Sequence, residues 1–220
     1  MPVDAERVQV TGVGGTVLGG ALVGPSRSRV GVVLRQGASQ TICDWLPWAG
    51  EVAAGTGADV LLFDRRGSGS SPGTPDLGAE PGDLVRAVHL LRGRGVDRVV
   101  VVGSSMGNAV TFSSLADLPS PPCALVAISP VLSASGAGGG VDGRAATAYP
   151  RRLWVTWEQQ NPRIVNDVRL IRAQARQQGL PAPHLHAVDT LDHSITLVDQ
   201  HADVRSFVQR AVASCTDASG

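Results

Sequence analysis

One serine lies in a setting where enzymes commonly hold a serine nucleophile. Residues 103–107 (GSSMG) match the pattern G-x-S-x-G; they follow the apolar run at 99–102 and open a helix-like segment. Between a strand and a helix, this pattern holds its central serine on a sharp turn, and the glycines let both elements approach closely. The pattern therefore predicts that Ser105 is a nucleophile and that the backbone N–H of Met106 faces a developing oxyanion.

A second match to the same pattern is interpreted differently. Residues 69–73 (GSSPG) also fit G-x-S-x-G, but they lie in a loop rich in glycine, serine and proline, with no strand directly before them. Only the strand–turn–helix context gives the pattern a mechanism. We therefore interpret the second match as coincidental.

Apolar runs and helical segments alternate along the chain. Strands are predicted at 7–11, 16–23, 30–34, 60–64, 99–102, 124–129, 153–157 and 184–188, and helices at 45–54, 83–92, 108–118, 163–177 and 198–213. Nearly continuous apolar strands separated by helices indicate a mostly parallel sheet with helices on both faces. The prediction is an α/β fold with about eight strands, the first two forming an antiparallel hairpin.

This order of elements resembles the α/β-hydrolase fold family over residues 7–213. The resemblance rests on GSSMG, on FDRRGSGSS at 63–71, and on LDHS at 191–194 before the last helix. It implies Ser105 as nucleophile, His193 as general base and an acyl-enzyme route for hydrolysis of an ester or thioester. It also implies a structural role for Asp64, in a network with Arg65 and Arg66.

The acid that should orient His193 is left open by the sequence. The family commonly has G-x-x-D-x-x-V here, whereas residues 157–165 read WEQQNPRIV, which puts Asn161, or Gln160 after a one-residue shift, at the acidic position. Glu158 is the nearest carboxylate and the first candidate, and Asn161 is the alternative orienting residue. The difference matters because an amide cannot stabilise the imidazolium that forms during catalysis. Some other carboxylate, or none, is the remaining alternative.

The second oxyanion donor is expected in the loop after the strand at 30–34. Gln36-Gly37 stands where the family often has His-Gly, and the donor is a backbone group, so the changed side chain is compatible with the role. We expect the N–H of Ala38 to pair with that of Met106. Three residues near the carboxyl edge of the sheet are candidates to contact substrate, with core packing as the rival interpretation: Gln36, Trp45 and Trp157.

About 23 residues separate the strand at 124–129 from the strand at 153–157, where many family members have a helical cap. That length predicts a single domain over residues 1–220 without a cap. The small residues at 133–140 (SASGAGGG) predict a mobile loop, and 214–220 a disordered tail. An open site of this kind suits bulky or carrier-tethered acyl groups.

The composition argues against several classes of function. Nineteen basic residues, all arginine, balance nineteen acidic residues, so the chain lacks the basic field that nucleic acids or an anionic membrane surface require. No glycine-rich nucleotide loop follows a strand, and His184 and His186 lack a third metal ligand at a plausible spacing. We therefore expect no cofactor, no metal and a small-molecule acyl substrate, with the oligomeric state undetermined.

The three cysteines, Cys43, Cys123 and Cys215, are far apart and odd in number. Together with the absence of a signal-peptide pattern or a long apolar run, they predict reduced thiols and a cytoplasmic protein.

Two other functions compete with hydrolysis at this stage. Two departures from the family pattern favour a non-hydrolytic member of the same fold, one that catalyses cyclisation, dehydration or isomerisation. These are the amide at the position of the acid and Gln36-Gly37 in place of His-Gly. An inactive binding homologue is the third hypothesis.

Overall fold

A computed structural model describes residues 4–216. These residues form ten strands: β1 Glu6–Thr11, β2 Val17–Val23, β3 Val30–Arg35, β4 Asp59–Phe63, β5 Arg98–Ser104, β6 Ala124–Ile128, β7 Ser133–Gly136, β8 Gly139–Asp142, β9 Leu153–Glu158 and β10 His184–Val188. Eight of them form one sheet in the order β1-β2-β4-β3-β5-β6-β9-β10. Strand β2 is antiparallel to both neighbours, and the remaining pairs are parallel. The predicted mostly parallel eight-stranded sheet with an antiparallel start is confirmed.

Six α-helices cover the two faces of this sheet: α1 Ile42–Thr56, α2 Glu80–Gly93, α3 Gly107–Ser114, α4 Pro162–Gln177, α5 Ile195–Gln200 and α6 Ala202–Thr216. Because side chains alternate along a strand, Val99 and Val101 of β5 pack in one core with α2, α3 and α4. Val100 and Val102 pack in the other core with α1, α5 and α6. Burial on both faces explains why the central strands are almost wholly apolar.

Helix α1 begins three residues before the predicted start. Thr41 and Asp44 form a capping box, in which the Thr41 N–H donates to Asp44 Oδ2 at 2.7 Å. Asp44 is therefore the third residue of the helix and not its cap. Asp64, at the end of β4, accepts from the N–H of Ile42 at 2.8 Å, which ties the helix start to the sheet.

The predicted final helix at 198–213 is two helices. α5 ends at Gln200 and α6 begins at Ala202, with His201 extended between them (φ −121°, ψ 102°). Residues 214–216 form the last turn of α6, so the prediction of disorder is wrong for these three. The rest of the predicted tail, 217–220, lies outside the described residues.

The segment predicted as a mobile loop is a β-hairpin. Strands β7 and β8 pair antiparallel, with Gly138 in the left-handed region (φ +77°) at the turn. The hairpin docks onto the fold because the carbonyl of Ala137 accepts from the Leu77 N–H at 2.9 Å and Val141 is buried. Within the described chain, the only helical turn between β6 and β9 is the short 3₁₀ segment Gly143–Ala145.

Two of the three cysteines are bonded to each other. Cys123 precedes β6 and Cys215 lies in α6, and their sulfur atoms are 2.10 Å apart across 92 positions of sequence. The prediction of reduced thiols is therefore wrong for this pair, and the cysteines no longer argue for a reducing compartment. Cys43 is free and exposed.

Among residues 4–216, no helix combines the length and apolar character that a membrane span requires.

Candidate active site

Ser105 lies on a tight turn between β5 and α3. Its backbone is in the left-handed region (φ +51°), and its N–H donates to the carbonyl of Ile128 at 3.0 Å. A Cβ atom at Gly103 would come within 2.6 Å of Asn108 Oδ1, and one at Gly107 would collide with the carbonyl oxygen of Arg35. Both glycines of the motif are therefore needed for the close approach of helix and strand.

Three side chains from distant parts of the chain form a continuous row of hydrogen bonds at the carboxyl edge of the sheet. Ser105 Oγ is 2.7 Å from His193 Nε2, and His193 Nδ1 is 2.6 Å from Glu158 Oε1. Glu158 ends β9 and is fully buried, while His193 lies in the loop between β10 and α5. This arrangement can remove a proton from the serine and stabilise the resulting imidazolium.

Asn161, the alternative orienting residue, has a different position. Its Oδ1 accepts from the Arg163 N–H at 3.2 Å, which caps α4, and its Nδ2 donates to Glu158 Oε1 at 3.4 Å. It therefore contacts the carboxylate and not the histidine. Within residues 4–216, the other carboxylate oxygen, Glu158 Oε2, is buried without a hydrogen-bond partner.

Two backbone donors lie beside Ser105. Ala38 and Met106 line the same cavity as the serine, and neither N–H donates to another group of the described chain. The Gly37 N–H is occupied by Gln40 Oε1 at 3.0 Å, which leaves the next N–H, that of Ala38, for an oxyanion. Met106 directly precedes α3, where the helix dipole also favours negative charge.

The three residues predicted to contact substrate do not line the cavity, and that prediction is corrected. Gln36 is buried, and its amide bonds the carbonyl of Phe63 and the guanidinium of Arg35. Trp45 lies on the core face of α1 with no exposed surface. Trp157 lies on the same face of β9 as Val155, packs against the core beneath α4 and is not part of the cavity lining.

The cavity next to Ser105 measures about 750 Å³. One wall is the nucleophile turn with Ala38, and the opposite wall is the β7–β8 hairpin. Its lining comprises Ala38, Ser105, Met106, Val131, Ser133, Ala134, Ser135, Gly140, Val141, Asp142, Arg144 and Arg163. The β7–β8 hairpin therefore lines the cavity where the sequence analysis predicted Trp45 and Trp157.

A polar chain behind the site escaped the sequence analysis. Gln40 Oε1 accepts from Trp45 Nε1 at 3.1 Å as well as from Gly37, and Gln40 Nε2 donates to Ser194 Oγ at 3.0 Å. Ser194 Oγ is 2.7 Å from Ser104 Oγ. Gln40 therefore joins the oxyanion loop, α1 and the histidine loop. The only sequence signal for it is the position of Ser194 next to His193.

Charged side chains fix the loop after β4, but among the described residues Asp64 forms no ion pair with Arg65 or Arg66, so the expected network has other partners. Arg66 donates two hydrogen bonds to Asp83, and this contact raises the pKa of the Arg66 guanidinium. Burial lowers the pKa of Arg65, whose guanidinium donates to the carbonyl of Gly37 and so braces the oxyanion loop. Asp64 accepts from the N–H and the hydroxyl of Ser70.

Arg35 belongs to a buried pair and is not available to a substrate. Its guanidinium donates to Glu80 Oε2 at 2.5 Å and 3.1 Å, and both side chains are buried. Ser71, at the centre of the second G-x-S-x-G match, donates its hydroxyl to the carbonyl of Asp64 and accepts from the Gly19 N–H. It is a structural serine, in agreement with the interpretation of that match as coincidental.

The other histidines contact different partners. His184 stacks on Trp154 at 4.0 Å, and His186 Nε2 is 3.1 Å from Asp203. His201 lies 2.9 Å from Asp192, and this hydrogen bond lowers the pKa of the Asp192 carboxyl.

Comparison with known proteins identifies the fold and the family. The pattern of the alpha/beta hydrolase family matches residues 33–219. The esterase PF2001 of Pyrococcus furiosus superposes with a TM-score of 0.78 at 18% identity, covering 97% of this chain and 91% of that one. XC6422 of Xanthomonas campestris, described as an α/β serine hydrolase without a lid, gives 0.70 at 22% identity, covering 96% and 95%. An esterase/lipase from an uncultured bacterium gives 0.72 at 18%, covering 97% and 85%. None of the curated proteins compared with the chain matches it. The chain therefore belongs to the alpha/beta hydrolase family.

Proposed function

We propose that the protein is a serine-dependent hydrolase of carboxylic esters or thioesters. The observation that carries this proposal is the unbroken row from Ser105 through His193 to Glu158, with heavy-atom separations of 2.7 Å and 2.6 Å. A nucleophile, a base and a buried carboxylate in this order have the geometry that activates a serine.

The reaction would follow two acyl-transfer steps. Ser105 Oγ attacks the substrate carbonyl and gives its proton to His193 Nε2, while the N–H groups of Ala38 and Met106 bind the oxyanion. His193 then returns the proton to the leaving alcohol or thiol as the carbonyl–oxygen or carbonyl–sulfur bond breaks. Water, deprotonated by His193, attacks the acyl-enzyme, and the carboxylic acid leaves as Ser105 regains its proton.

Glu158 weakens the case for non-hydrolytic chemistry. Non-hydrolytic chemistry was favoured because an amide, Asn161 or Gln160, stands where the family commonly has an acid. In the structure, however, the buried carboxylate of Glu158 contacts His193 Nδ1. The backbone N–H of Ala38 remains available to bind an oxyanion, although Gln36-Gly37 replaces the common His-Gly before it. We therefore propose hydrolysis alone, and the non-hydrolytic and binding hypotheses become outcomes of the test.

The test is covalent labelling by a fluorophosphonate, followed by intact-mass measurement. We expect one adduct on the wild-type protein and none on Ser105→Ala, because only an activated serine attacks phosphorus rapidly. His193→Ala should label at least about 100-fold more slowly, since the general base is lost. Ser206→Ala and His89→Ala, both at exposed helix positions, are matched controls that should label like the wild type.

A turnover assay tests an oxoester and a thioester side by side. A p-nitrophenyl ester and a thioester with the same short acyl group should both release the acid, and both activities should vanish in Ser105→Ala. Labelling unaffected by Ser105→Ala, or no labelling of folded wild type, would overturn the proposal. A carrier-tethered acyl group is tested by the same thioester attached to a pantetheine arm.

A further inference from the structure

The cavity beside Ser105 carries one cation without an acidic partner. Arg163, the second residue of α4, is exposed, lines the cavity, and donates to the carbonyl of Ser133 at 3.3 Å. Within residues 4–216, no carboxylate lies within ion-pair distance of its guanidinium. The neutral carbonyl of Ser133 accepts from one of the five N–H donors of Arg163 and does not neutralise the charge of the guanidinium.

The other charges of the cavity wall compensate each other. Arg144 donates from Nε and from a terminal nitrogen to the two oxygens of Asp142, at 2.8 Å and 2.6 Å. The same contact lowers the pKa of the Asp142 carboxyl. Asp167, one turn beyond Arg163, accepts from the Leu132 N–H at 3.0 Å instead of pairing with Arg163. The residues that line the cavity therefore carry one positive charge in excess, and the Asp167 carboxylate lies outside this lining.

The rest of α4 adds to this positive potential. Arg169, Arg172 and Arg176 lie farther along the helix, and within the described chain none of them forms an ion pair with a carboxylate. Uncompensated charges of one sign raise the local concentration of oppositely charged ligands. The chain as a whole has no net charge, so this surface is a local feature.

Four apolar side chains, those of Met106, Val131, Ala134 and Val141, line the same cavity as Ser105 and Arg163, together with Ser133 and Ser135. A substrate carbonyl at Ser105 would thus have a short apolar segment beside these side chains and a terminal group near Arg163.

We propose that Arg163 selects esters or thioesters that carry an anionic oxygen group, a carboxylate or a phosphate, at the end of the bound acyl chain. The inference rests on the proposed function, because it concerns the substrate of the same site. A guanidinium can donate two parallel hydrogen bonds to either group, which a neutral ester cannot match.

The test compares two substrates that differ only in charge: mono-p-nitrophenyl adipate and its neutral methyl ester. We expect Arg163→Gln to lower kcat/KM for the anionic ester about tenfold and to change the neutral ester less than about twofold. Arg172→Gln removes the same charge from α4 outside the cavity lining, so it should lower kcat/KM for the anionic ester far less than Arg163→Gln does and leave the neutral ester unchanged. A phosphorylated acyl ester, measured alongside, tells carboxylate from phosphate preference.

A second variant acts in the opposite direction. Asp142→Asn keeps an oxygen that can accept from the Arg144 N–H, at 3.0 Å in the wild type, but removes the charge that neutralises Arg144. It should raise kcat/KM for the anionic ester about threefold and leave the neutral ester unchanged. Equal effects of Arg163→Gln on both esters, or none, would overturn the inference, while turnover of the neutral ester would leave the proposed function standing. If wild type cleaves neither ester and takes no fluorophosphonate, both proposals fail.

Discussion

Glu158 is the candidate acid that the sequence could not separate from its polar neighbours. It stands two residues before Gln160 and three before Asn161, and their order in sequence does not show which side chain meets His193. Its carboxylate is buried, with one oxygen on His193 and the other without a hydrogen-bond partner among the described residues. A buried carboxylate held against one imidazole is positioned to stabilise that ring when it becomes positive.

Glu158→Gln should lower kcat by about 10³–10⁴-fold, because an amide gives the imidazolium no compensating charge and can favour the wrong tautomer. Substrate binding should change little, since the side chain does not line the cavity. Steady-state kinetics and the fluorophosphonate labelling rate measure the effect, with a thermal melt to verify folding.

Asn161→Ala is the matched comparison for Glu158→Gln. It removes the cap of α4 and should cost about 1 kcal/mol of stability. Because Asn161 does not contact His193, kcat should fall far less than in Glu158→Gln. A larger loss of kcat in Asn161→Ala than in Glu158→Gln would assign the orienting role to the amide.

At the scale of elements, three loops at the carboxyl edge of the sheet must keep their relative positions. Gln40 bonds two of them directly, through Gly37 and Ser194. Both neighbouring loops include serines with positive φ, Ser39 and Ser194, which persist only where surrounding contacts hold them. The polar chain behind the site therefore maintains the distance between the backbone N–H groups beside Ser105 and His193.

Gln40→Ala should slow fluorophosphonate labelling about tenfold, because small displacements of catalytic groups are costly. Gln40→Glu keeps an acceptor for the Gly37 and Trp45 N–H groups and should recover part of the rate. Equal losses in both variants would mean that Gln40 acts only through packing. The comparison is made at saturating and subsaturating probe to separate binding from reaction.

At the scale of the whole molecule, the Cys123–Cys215 disulfide joins the last helix to the middle of the sheet. It closes a segment of 92 positions that includes β9, His193 and both C-terminal helices. Cross-linking so long a segment restricts the unfolded chain strongly. The disulfide thus stabilises the part of the fold that carries His193 and Glu158.

The double variant Cys123→Ser/Cys215→Ser should lose about 4 kcal/mol of unfolding free energy. Denaturant titration measures the loss, and dithiothreitol should produce a similar loss in the wild type but none in the double variant. Cys43→Ser should leave stability and its response to reductant unchanged, because Cys43 is free. A reductant-insensitive wild type would contradict the disulfide.

Local patterns predicted much of this fold correctly. The apolar runs at 30–34, 60–64 and 99–102 became central strands, because burial on both faces demands such runs. The motif around Ser105 and the LDHS segment identified two members of the row of hydrogen bonds. The prediction that Trp45 contacts substrate is wrong because its place in the sequence, near the edge of the sheet, does not reveal which face of α1 its side chain occupies.

Side-chain periodicity and glycines a few residues apart are local features, and they predict the alternation of strands and helices, the sharp turn at Ser105 and the candidate base. Three features could be read only from the folded chain: the carboxylate that meets His193, the cysteines that bond, and the cavity arginine that has no carboxylate partner among the described residues. Each of these depends on distances between side chains that are far apart in the chain or on different loops. Such distances follow from the packing of the elements on the sheet, which residue types and spacing do not specify.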